Sequence, residues 1–183
     1  LALVLTTVLL RVFARARLGP TRTLFARLSL LSTAFLAFSH GSNDGQKFMG
    51  ILALTMVMTG VFTEFHIPFW IILVAASTMG VGTAFGGWRI IRTIGVRLTK
   101  LETVHGFAAQ TSAGIAIQLA SHFGIPLSTT HTANTAVMGV GASKRFSAVR
   151  WGVSRQIVGA WILTFPVCGA IAWVMAKLLG LVF

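Results

Sequence analysis

The chain has 183 residues, of which 55% are hydrophobic and 10% charged, with 15 Lys and Arg against 3 Asp and Glu. So little charge excludes a disordered chain, which cannot carry this much apolar surface. It also argues against an ordinary soluble domain, where about a quarter of residues are charged. What fits is an all-α integral membrane protein, each helix needing roughly 20 apolar residues to cross a core about 30 Å thick.

The net charge of +12 is not spread evenly. Arg11, Arg15, Arg17, Arg22 and Arg27 form one cluster, Arg89, Arg92, Arg97 and Lys100 a second, and Lys144, Arg145, Arg150 and Arg155 a third. Basic clusters separated by apolar stretches follow the positive-inside pattern of cytoplasmic loops, so the expected partner is a lipid bilayer and not nucleic acid. A single cysteine, Cys168, excludes an intrachain disulfide framework and reads as a small buried hydrophobe. The chain opens on Leu1 without the charged-then-apolar order of a signal peptide, and is expected to be a piece of something longer.

In chain order, residues 1–10 read as the tail of a spanning helix that ends in a basic loop punctuated by Gly19-Pro20. The expected boundary falls after residue 27, with 1–27 as helix tail plus cytoplasmic loop and 28–183 as the main membrane unit. From 28 to about 62 the chain is apolar, interrupted at residues 39–47. A loop at 63–68 holds Glu64 and no Lys or Arg, and His66 lies in it. Residues 69–87 then span back to the second basic cluster, whose Trp88 suits an interfacial segment.

Leaving a basic side at Arg27, crossing twice and returning to a basic side at Arg89 is self-consistent. Between Lys100 and Lys144 the chain again starts and ends basic, so it crosses an even number of times or forms a re-entrant hairpin. Its tip is placed at Gly124-Ile125-Pro126, with arms at about 104–123 and 131–142. Twelve residues rise only about 18 Å, too short to span, which favours the re-entrant hairpin. Residues 152–183 cross once more, with Pro166 as an expected kink.

Two segments carry chemistry. In Gly41-Ser42-Asn43-Asp44-Gly45, Asp44 is an ionisable residue within an apolar segment, which costs about 2.5–3.5 kcal/mol unless it faces a polar cavity. Two glycines around Asn43 and Asp44 favour local unwinding into a discontinuous helix. Freed carbonyls, an amide and a carboxylate would then make an oxygen cage for a small cation or a proton relay. The plainer alternative is that Asp44 pairs with Lys47 one turn later and holds a kink.

The second segment is Gly124-Ile125-Pro126-Leu127-Ser128-Thr129-Thr130-His131. A turn followed by hydroxyls opens a helix, and a helix N-terminus offers unpaired N–H groups and partial positive charge to an oxyanion. Ser128, Thr129 and Thr130 add neutral donors; simple capping is the alternative. Gln110-Thr111-Ser112 in the other arm supplies further uncharged donors, although such hydroxyls commonly bond their own backbone. His40 and His131 adjoin the two sites, His105 and His122 fall at helix ends, and Glu102 reads as a solvated partner of Lys100. No metalloprotease, hydrolase-elbow or phosphate-loop motif is present, so an enzyme is not expected.

Gly41-Ser42-Asn43-Asp44-Gly45-Gln46-Lys47, Gly87-Trp88-Arg89-Ile90-Ile91-Arg92-Thr93, His105-Gly106-Phe107-Ala108-Ala109-Gln110 and Pro126-Leu127-Ser128-Thr129-Thr130-His131 occur in that order. Together they resemble the C-terminal half of an inorganic phosphate transporter of the PiT family, from about residue 28 to near the C-terminus. The resemblance implies one half of an inverted-repeat symporter in the cell (inner) membrane, coupled to Na⁺ or H⁺ and needing no other cofactor. Its implied partners are inorganic phosphate, the N-terminal half of the same transporter and, plausibly, a second copy in a homodimer. Asn43 and Asp44 take the cation role and Ser128, Thr129 and Thr130 the phosphate role, with Gln110 and Ser112 as further phosphate candidates. Gln110 stands where many relatives have glutamate, so a proton role does not carry over to it. An uncoupled anion channel and a non-transporting structural membrane subunit are the competing expectations.

Overall fold

The computed structural model describes residues 1–92 and 102–180. Among the described residues there are six α-helices: α1 (Ala2–Val12), α2 (Leu18–Met58), α3 (Phe69–Arg92), α4 (Thr103–His122), α5 (Thr129–Lys144) and α6 (Trp151–Leu179), with a short 3₁₀ turn at Phe146–Ala148. The second basic cluster, expected as an interfacial segment, lies outside the described residues apart from the helical backbone up to Arg92. Helices α2, α3 and α6 are long and apolar enough to cross a membrane, whereas α4 and α5 are not among such helices.

Helix α2 begins earlier than its apolar pattern suggests. Gly19 and Pro20 lie in its first turn and not in a loop. A proline there gives up an N–H that has no intrahelical acceptor in any case. Arg22 and Arg27 therefore ride on the helix, and the expected boundary at residue 27 falls inside it. With 41 residues, α2 is about 62 Å long, twice the thickness of a hydrocarbon core.

The break expected at residues 41–45 is not there: α2 runs unbroken from Leu18 to Met58. Each glycine costs a helix about 1 kcal/mol relative to Ala. Unwinding in an apolar slab would instead strand backbone groups at several kcal/mol each, so the intact ladder prevails. Asp44 still lies near the helix middle, about 26 Å from Arg27 and 21 Å from Met58 along the axis.

Helices α4 and α5 form the expected hairpin, with arms Thr103–His122 and Thr129–Lys144. The return arm, at 16 residues and about 24 Å, is longer than expected yet still short of a span. Gly124, at φ 67°, supplies the left-handed residue of the turn. The hairpin lies against α2, with α4 running parallel to it. Ser29 Oγ donates to Thr103 O at 3.3 Å, Ser32 Oγ to Gln110 Oε1 at 2.6 Å, and Asn43 Nδ2 to Ser121 Oγ at 2.8 Å.

The open end of the hairpin thus sits beside Ser29, next to Arg27, and its turn reaches only the level of residues 43–47. Helix α2 continues beyond it for about 16 Å, so the turn lies against the side of α2 and short of its end. Small residues permit the close approach, as in membrane helix packing generally. Ala108, Ala109 and Ala113 of α4 are buried with Ala136, Val137 and Val140 of α5 and Ala2 of α1. At Gly114 a side chain would force Phe35 or the helix to shift, because a Cβ would lie 2.6 Å from the Phe35 ring.

Helix α6 passes through Pro166 without ending, and only Ser154 is buried in it. It touches the bundle through Val153, Ile157 and Trp161. Cys168 is consequently exposed and not buried as expected, since the surroundings of this apolar helix lie outside the described bundle. Glu102 reaches across the open end of the hairpin to Lys144 Nζ at 2.8 Å, while Lys100, its expected partner, lies outside the described residues.

Candidate functional site

The hairpin turn brings the two sequence motifs together at one point on α2. Asp44 Oδ2 accepts a hydrogen bond from Thr129 Oγ1 at 2.9 Å, joining a residue expected on the cation side to one expected on the phosphate side. Lys47 Nζ lies 2.9 Å from Asp44 Oδ1 and donates to the Leu127 carbonyl at 2.6 Å. His40 Nε2 is 3.0 Å from Asp44 Oδ2. Residues 40, 44 and 47 share one helix face by their spacing of four and three, and that face meets the N-terminus of α5.

Asn43, one position round the helix, ties α2 to the end of α4 through Ser121. Its Oδ1 is buried without a partner among the described residues. Asn43, Lys47, Ser121, Gly124 and Pro126 border a cavity of about 200 Å³ beneath the turn. A larger cleft of about 800 Å³ opens between α2, α3 and α5. His40, Thr129 and Thr130 border it on one side, while Met79 and Ile51 belong to its largely apolar wall.

The three hydroxyls expected to act together point to different tasks. Ser128 is the N-cap of α5, its Oγ accepting from the His131 N–H at 3.4 Å. Thr129 is buried and committed to Asp44. Thr130 is exposed and borders the larger cleft. Around them the first-turn N–H groups of α5 offer partial positive charge of the kind that favours an oxyanion, while the Lys47 ammonium is paired with the Asp44 carboxylate.

Gln110 and Ser112 do not join this cluster. They lie about 18 and 15 Å back along α4 from its end at His122. Gln110 Oε1 is occupied by Ser32, and Ser112 Oγ is buried without a partner among the described residues. Of the histidines, His131 stacks on Trp161 with ring centroids 4.0 Å apart.

The backbone-carbonyl cage expected around Asn43 and Asp44 is absent, because the carbonyls of the unbroken helix serve its own ladder. His40 and Lys47 on α2 itself and Thr129 from α5 satisfy the carboxylate instead. Ser121, Ser32 and the Leu127 carbonyl were missed by the sequence reading. The register of α2 on α4, with the same 78-residue offset at Ser32–Gln110 and Asn43–Ser121, reveals the two serines, and the seating of the hairpin turn on Lys47 reveals the carbonyl.

Residues 5–172 match the phosphate transporter family. The chain is 41% identical over 173 residues to a probable low-affinity inorganic phosphate transporter of Rhizobium meliloti (strain 1021), covering 94% of this chain and 52% of that protein. It is 32% identical to a protein of the same description from Bacillus subtilis (strain 168), covering all of this chain and 55% of that one. A solved structure titled "The sodium-dependent phosphate transporter" superposes with a TM-score of 0.70 at 31% identity, over 87% of this chain and 41% of the other. The chain thus spans about half the length of the curated relatives it matches. With the hairpin, the Asn43–Asp44 pair and the hydroxyl-rich turn in place, this chain belongs to the phosphate transporter family.

Proposed function

We propose that the chain is half of a secondary active transporter that moves inorganic phosphate across the cell (inner) membrane with Na⁺ or H⁺. The hydrogen bond between Asp44 and Thr129 carries this reading, because it puts a carboxylate against the hydroxyl-rich helix N-terminus. Phosphate is held by the first-turn N–H groups of α5 with Ser128, Thr129 and Thr130 around them. Gln110 and Ser112, farther along α4, stay second-rank phosphate candidates that would have to be reached by a rearrangement of the hairpin.

Asp44, with Asn43, brings positive charge to that anion: the coupling cation binds there by replacing one of the contacts the carboxylate now makes. Compensation of this kind is required because an isolated ion in a low-dielectric site costs many kcal/mol. The N-terminal half of the same transporter completes the site, and rocking of the two halves gives alternating access. The reading calls for no enzymatic step and no bound cofactor besides the coupling ion, and it is compatible with a homodimer.

The test is labelled-phosphate uptake by the complete transporter in proteoliposomes, with Na⁺ and pH gradients imposed separately. Asp44→Asn should abolish cation-driven uptake while membrane insertion stays normal. Uptake at the wild-type rate and ion dependence would refute the reading. Uncoupled flux surviving the substitution would point to an anion channel, and a silent Ser128→Ala/Thr129→Ala pair to a structural subunit.

A further inference from the structure

The contacts around Asp44 contain their own cation. Lys47 places its ammonium 2.9 Å from Asp44 Oδ1, the distance of a charge-assisted hydrogen bond. The same ammonium donates to the Leu127 carbonyl at 2.6 Å, one residue before the cap of α5. Thr129 and His40 engage the other carboxylate oxygen, so each oxygen already has a protein partner and the one on Oδ1 carries the like charge of an incoming cation.

Building on the transport reading, we propose that Lys47 is a tethered competitor for the coupling cation at Asp44, and that its displacement releases the hairpin turn. A cation that takes Oδ1 must expel the ammonium, and the expelled ammonium gives up Leu127 as well. Asn43 Oδ1, buried and unpartnered beside the 200 Å³ cavity that Lys47 also borders, offers an incoming ion a second oxygen. Binding at Asp44 is thereby linked to the freedom of the turn that carries Ser128 and Thr129, without any break in α2. Lysine suits the task, being a compact charge on a flexible stem. It also makes cation affinity a property of one side chain.

The experiment measures ²²Na⁺ binding to the purified complete transporter without phosphate, so it does not depend on transport. Lys47→Met should raise Na⁺ affinity at least tenfold, or add one bound Na⁺ per chain where the wild type binds none there. Adding Asp44→Asn to that variant should remove the gain. Lys47→Arg, which keeps the charge, should show no gain, and Lys47→Gln provides a second neutral variant should Lys47→Met fold poorly. Unchanged Na⁺ binding in the neutral variants would overturn the proposal, as would a gain that survives Asp44→Asn. Loss of phosphate affinity with no gain in Na⁺ would overturn it too, marking Lys47 as a phosphate ligand. Absence of phosphate uptake in the wild type would count against the transport reading alone.

Discussion

Gly114→Ala tests whether the contact of α4 with α2 sets the geometry of the site. An added Cβ would lie 2.6 Å from Phe35 Cε1 and 2.7 Å from Cδ1, against 3.4–4 Å for ordinary contact. The helices must therefore separate by nearly an ångström, or the ring must leave its position. Overpacking of this kind costs about 1–3 kcal/mol, while Gly→Ala in a helix interior returns about 1 kcal/mol of propensity. Gly106 is the internal control: it lies on the same helix with nothing within 4 Å of its Cβ position, so Gly106→Ala carries the propensity gain without the clash. The difference between the two variants isolates the packing cost of about 1–3 kcal/mol. At about 2–4 °C per kcal/mol for a chain of this size, thermal melts of the purified protein should resolve it. Phosphate uptake should fall with it, since a shifted α4 pulls Ser121 from Asn43. Adding Phe35→Leu should restore much of both. Equal stability of the two glycine variants would refute the argument that this contact fixes the register.

Thr129→Val keeps the branched shape and removes the donor to Asp44. A hydrogen bond to a charged group is worth about 1.5–3 kcal/mol, so phosphate uptake should fall at least about tenfold and Thr129→Ser should recover most of it; a silent valine would count against the Asp44–Thr129 link. At the open end of the hairpin, the hydrogen bond from Lys144 holds the Glu102 carboxyl below the usual glutamate range, aided by the charges of Lys144 and His105. A depressed folded-state pKa contributes stability above the unfolded value, about pH 4.3, and loses it as pH falls through the folded value. Glu102 is 75% exposed, so the effect is small. The melting difference between wild type and Glu102→Gln should be largest at neutral pH and shrink steadily as the pH is lowered below the unfolded value; a pH-independent difference would exclude the linkage.

Composition alone was enough to specify a membrane-spanning all-α chain, whereas the first basic cluster, read as a loop, partly rides on α2. The Gly124 turn, the short return arm and the cap at Ser128 were also legible, because turn, length and capping preferences are local. The Asn43–Asp44 segment stood out for a local reason as well, since an acid in an apolar stretch demands compensation. Part of that compensation was local, the pairing with Lys47 one turn later, and part, the Thr129 hydroxyl, was not. Asp44 is met by His40 and Lys47 of its own helix and by Thr129 of α5, so α2 needs no break. Tertiary structure likewise moved Gln110 and Ser112 away from the hydroxyl cluster, because the helical rise along α4 separates residues that sequence motif alone would group. It also decided that Ser121 and the Leu127 carbonyl take part, through the seating of α4 and of the hairpin turn on α2. Patterns within one helix can be read from one segment; which polar atoms meet is set only when separate segments pack.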